Sequence, residues 1–71
     1  MIKGYCFTNI DDVRCPVTSF VAVPRIGERV AVLYKGHSDT MPVVQVTHYE
    51  DVDGQPRIKV ELWEKRFVRD N

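Results

Sequence analysis

The sequence predicts an all-β domain, a small five-stranded antiparallel and partly open barrel. Three observations carry that expectation. The chain holds twelve valines and four isoleucines against two leucines and two alanines, a strongly β-forming balance. Short runs of alternating apolar and polar residues recur along it, separated by Gly, Pro, Asn and Asp. Its 71 residues contain no repeat, low-complexity stretch or linker, so a single domain covers 1–71.

Strands are expected over residues 2–8, 17–23, 28–34, 41–49 and 57–64. Pro16, Pro24, Pro42 and Pro56 then fall at or just before strand starts, where a missing N–H does least damage to a ladder. In the third strand, Val30 and Val32 point inward and Arg29 outward. The last two strands can be registered from their pattern, because residues paired across a hairpin share a face. Val44, Val46 and His48 oppose Leu62, Val60 and Ile58 on the inner face, while Val43, Gln45 and Thr47 oppose Trp63, Glu61 and Lys59 on the outer one. That register needs an odd-length connection. A three-residue loop of Val52, Asp53 and Gly54 supplies it, with Gly54 at positive φ as the bulge residue.

The segment P-R-I-G-E-R-V at 24–30, followed by V-V-Q-V-T-H at 43–48 and I-K-V-E-L at 58–62, resembles small bacterial and phage proteins of uncharacterised function. In these, a P-R-x-G-[DE]-x-V segment opens a compact SH3-like barrel. The resemblance spans residues 24–64 and implies an SH3-like fold. It transfers a fold and not an activity, and leaves room for an accessory protein, an inhibitor or assembly factor, encoded by a phage or other mobile element.

Ten Lys and Arg balance ten Asp and Glu, with a pI near 6.7, so the long-range field of a polyanion binder is missing. No apolar run reaches the ~20 residues of a membrane span, and the first residues lack a secretory layout. A cytoplasmic chain with no membrane partner is expected. A domain of this mass buries only about 60% of its unfolded surface, which leaves little interior for a deep active site.

Candidate chemistry is sparse. Cys6, Cys15, His37 and His48 are the ligand types of a tetrahedral zinc site, but structural zinc sites use close pairs such as C-x₂₋₄-C and H-x₃₋₅-H, and these pairs are far wider. The two cysteines read as reduced, buried thiols, with one bridge closing a short loop as the alternative, His48 as a rim histidine and His37 as a turn residue. His37, Ser38 and Asp39 contain the letters of a nucleophilic triad, yet neighbours in one short segment seldom converge on one atom. The expectation is a non-enzyme with no metal and no cofactor.

The informative stretch is W-E-K-R-F-V-R at 63–69, where two large aromatics interleave with three bases. If strand alternation continues, Trp63 faces outward with Lys59 and Glu61. Exposed tryptophan and arginine are interface residues. The expected partner-binding surface is Trp63, Lys65, Arg66 and Phe67, joined by Tyr49, beside an open sheet edge. The alternative structural role is a lid, with Trp63 or Phe67 folded over an open barrel end. Two partners suit such a surface. A protein, or a second copy in a homodimer or higher homo-oligomer, needs no strong field. Single-stranded nucleic acid would stack on the rings and track Lys65, Arg66 and Arg69.

Overall fold

A computed structural model describes residues 1–8, 10 and 12–64. The described residues form six strands and no helix: β1 (Ile2–Thr8), β2 (Val13–Arg14), β3 (Ser19–Phe20), β4 (Arg29–Tyr34), β5 (His37–Glu50) and β6 (Pro56–Leu62). They make one curled sheet in the order β2-β4-β5-β6-β1-β3, a half-barrel. The all-β, partly open barrel is therefore present. Two features of the expectation change: there are six strands rather than five, and β1 runs parallel to β6, so the sheet is mixed rather than wholly antiparallel.

The hairpins follow from local chemistry. Lys35 and Gly36 turn β4 into β5 with φ of 50° and 80°, the two positive values of a type I′ turn. Between β5 and β6, the Gly54 N–H donates to the Asp51 carbonyl (2.8 Å) and the Asp51 N–H to the Gln55 carbonyl (3.0 Å). Gly54 has φ 79°, so the three-residue loop with its glycine bulge forms as the sequence predicts.

The register of this second hairpin is correct over most of its length and fails at one end. Gln45 pairs with Glu61, Val46 with Val60, Thr47 with Lys59 and His48 with Ile58. Val43, however, pairs with Leu62 rather than Trp63, because a bulge intervenes between Val43 and Gln45. Val43 turns into the core at 1% exposure and Val44 outward at 44%. Pro42 explains the break. It lies inside the 14-residue β5 instead of before a strand, has no N–H to offer β6, and sits beside the point where that ladder is interrupted. Its carbonyl still accepts from the Trp63 N–H at 3.4 Å.

The strand expected over 17–23 shrinks to Ser19–Phe20, and β2 has no counterpart in the expectation. These two-residue strands lie at opposite edges of the sheet and are joined through residues 15–18, so the chain spends this stretch crossing between edges rather than pairing. The core fills the concave side: Cys6, Val13, Phe20, Val30, Val32, Met41, Val43, Ile58, Val60 and Leu62. His48 is exposed, not packed among them. None of the helices needed for a membrane span exists among the described residues.

Candidate functional site

Because Cys6, Ile58, Val60 and Leu62 are buried, strand alternation sends their neighbours to the convex side. Parallel pairing then sets Tyr5 beside Lys59 and Phe7 beside Glu61. Across β6, Lys59 and Glu61 meet Thr47 and Gln45, and Arg57 meets Tyr49. The result is one outer face with three large rings in solvent: Tyr5 at 44%, Phe7 at 45% and Trp63 at 40% exposure. Tyr49 packs edge-to-face on Tyr5, with ring centres 6.2 Å apart at 69°. The Lys59 ammonium lies 4.8 Å from the Phe7 ring centre and 3.6 Å from Glu61 Oε1. Phe7, Val44, Gln45, Glu61, Leu62 and Trp63 enclose a shallow pocket of about 280 Å³.

The charges near this face are matched. Lys59 faces Glu61. Arg57 stands 3.5 Å from Asp51 and 3.6 Å from Asp53, and Arg29 bonds Glu64 at 2.9 Å. Lys3 adds a positive charge at the far end of β1. Among the described residues there is no continuous positive track along the rings.

Two stretches of strand edge lack a strand partner among the described residues. One is Arg29 to Val32 on the side of β4 away from β5, since β2 covers only Leu33 and Tyr34. The other is Tyr5 to Thr8 on the side of β1 away from β6, since β3 covers only Ile2 and Lys3. The second edge borders the aromatic face directly.

Of the sequence-predicted surface, Trp63 and Tyr49 both lie on this face but not together. Tyr49 pairs with Arg57, six positions before Trp63, which places the rings about 20 Å apart along the strand. Lys65, Arg66 and Phe67 lie outside the described residues. Tyr5, Phe7, Lys59 and Glu61 complete the site; the sequence sets Lys59 and Glu61 outward beside Trp63 without marking them as partner-binding, and does not point to Tyr5 or Phe7. The alternation of Tyr5 and Phe7 with Gly4 and Cys6 was the available signal, but it says nothing about which strand lies alongside.

The other constellations are not assembled. Cys6 is in the core, while His37 and His48 are exposed near opposite ends of β5. His37, Ser38 and Asp39 are successive residues of an extended strand, so Ser38 projects away from the other two. Burial, with the nearby Cys15 as a lesser cause, pushes the Cys6 thiol up to about 11, and burial also raises that of Cys15. Both free thiols are protonated, and so poorly nucleophilic, near neutral pH.

Comparison with protein-family models, with curated proteins and with solved structures found no match for this chain.

Proposed function

We propose that this chain is a non-catalytic protein-interaction module, an accessory or inhibitor protein that docks another protein on the outer face of β1 and β6. The observation that carries this reading is the exposure of Tyr5, Phe7 and Trp63 on one face whose neighbouring cations, among the described residues, are largely paired with carboxylates. Large rings in water are favourable to cover, and they supply contact area with few rotatable bonds. Matched charge suits a protein surface, whereas a phosphate backbone draws its affinity from cations free to replace counterions. The open edge of β1 adds a second element, because a partner strand pairing there would lie beside Tyr5 and Phe7. A standard interface of about 800 Å² per side commits most of one face of so small a domain. A second copy of this chain is one partner that such an edge and face could take.

The test compares wild type with the Phe7→Ala/Trp63→Ala variant. Partners captured from native lysate are identified, purified and rebound to both forms. Binding is expected to be lost in the variant at an unchanged thermal midpoint, and a variant that binds as wild type overturns the reading. Sedimentation of the chain alone distinguishes self-association. Single-stranded nucleic acid is the competing ligand, since rings on a sheet face are stacking platforms. Trp63 is the sole tryptophan, so its emission reports directly. A saturable response to oligothymidylate that falls steeply with salt would favour nucleic acid; no response at low salt is expected.

A further inference from the structure

The partner-binding face contains a place where this chain already holds a cation. The Lys59 ammonium rests over the Phe7 ring and beside the Glu61 carboxylate, so these two groups together accommodate positive charge. Phe7 and Glu61 are adjacent across the β1–β6 pairing, and Trp63 follows Glu61 by two residues, just past the end of β6. All three line the 280 Å³ pocket, which is smaller than the roughly 300–1,000 Å³ of small-molecule sites and suits a single side chain. Its exposed apolar surface comes from Phe7, Trp63 and Val44, and its polar groups are Glu61 and Gln45. Lys59 reaches Oε1 of Glu61 at the long distance of 3.6 Å, between two partly exposed side chains, a weak pairing that an incoming cation can share or displace. Among the described residues no cation lies over Trp63, the ring type that attracts one best.

We propose that the Phe7–Glu61–Trp63 pocket receives an arginine side chain of the partner protein. A guanidinium is planar, weakly hydrated and able to stack on a ring while donating two hydrogen bonds to one carboxylate; an ammonium does only part of this. The arginine stem covers Val44. This inference rests on the proposed protein-binding role and names the chemistry that the face selects.

The experiment titrates the full chain with end-blocked Gly-Gly-Arg-Gly-Gly and with the same peptide carrying citrulline, which keeps the shape of arginine without its charge, while Trp63 emission is read. The arginine peptide is expected to give a saturable response in the millimolar range, at least tenfold tighter than citrulline. Glu61→Gln is expected to bring the two peptides within twofold of each other, and Phe7→Leu to weaken the arginine peptide while the thermal midpoint holds. Equal responses to the two peptides, no response to either, or an arginine preference that survives in Glu61→Gln overturns the arginine pocket. A partner that binds wild type but not Phe7→Ala/Trp63→Ala, with no arginine preference, overturns this inference and leaves the interaction module standing. Loss of both overturns the two together.

Discussion

Gly4 lies against the backbone of Ile58 so closely that a Cβ at position 4 would overlap the Ile58 carbonyl oxygen and stand 2.8 Å from its Cγ1. This approach lets β1 and β6 pair in parallel, and through that pairing Tyr5 and Phe7 reach the outer face. Gly4→Ala is therefore expected to destabilise by about 1–3 kcal/mol, the usual cost of forcing volume into a packed site. Urea unfolding measures it, and an unchanged midpoint would mean that the Gly4–Ile58 contact does not limit the packing of β1 on β6. The same variant should bind a partner less tightly, because it displaces the rings.

Gly54 makes a different demand. Nothing lies within 4 Å of a Cβ built there, so only its φ of 79° restricts the residue. Gly54→Val should cost about 1–2 kcal/mol from left-handed backbone strain, while Gly54→Asn should stay closer to wild type. The order of thermal midpoints, wild type above Asn above Val, checks this.

The Cys6 thiol supplies a pH dependence. Its value in the folded chain is about 11 against an ordinary 9.0, because burial disfavours the thiolate. The unfolded chain thus loses this proton first as pH rises. The contribution to stability is whole below pH 9 and is lost progressively between pH 9 and about 11. Unfolding free energy should fall across that window more steeply in wild type than in Cys6→Ala, and parallel curves would show that Cys6 does not drive the loss. Labelling of Cys6 by a thiol reagent at pH 7.5 should be slow until urea unfolds the chain.

Arg29 ties two strands to the segment that follows β6. From β4 it donates to the Thr40 hydroxyl and carbonyl of β5, each at 2.8 Å, and to both Glu64 oxygens just past β6, at 2.9 and 3.1 Å. The groups are partly exposed, so Arg29→Met is expected to cost about 1 kcal/mol or less. The more telling readout is Trp63, next in sequence to Glu64. Its emission should shift in Arg29→Met as that end loosens, and an unaltered spectrum would show that Glu64 does not need Arg29.

Much of the fold was legible because it is local. The strand over 2–8 and those near 28–34, 41–49 and 57–64 follow from alternation, and the Val52–Asp53–Gly54 loop follows from glycine chemistry and the parity of the hairpin register. Val44 shows where such reasoning stops. A period of two carried through Pro42 to Gln45 keeps Val43 outside, but a missing proline N–H breaks the ladder and one bulged residue reverses the faces. Trp63 was picked out from its composition and neighbours, whereas Tyr5 and Phe7 were overlooked although their own strand was read correctly.

The sequence by itself determined an all-β chain, most of the inward residues of its longer strands and the Val52–Asp53–Gly54 hairpin connection, since each depends on neighbours along the chain, and its composition set zero net charge. Only the tertiary structure decided that β1 lies beside β6, that its direction is parallel, and that residues 15–18 span the two edges of a half-barrel. Those choices join residues more than fifty positions apart, for which side-chain alternation carries no address. The close fit of Gly4 to Ile58 and the shared burial of Cys6, Val60 and Leu62 select the pairing, and with it the ring-bearing face.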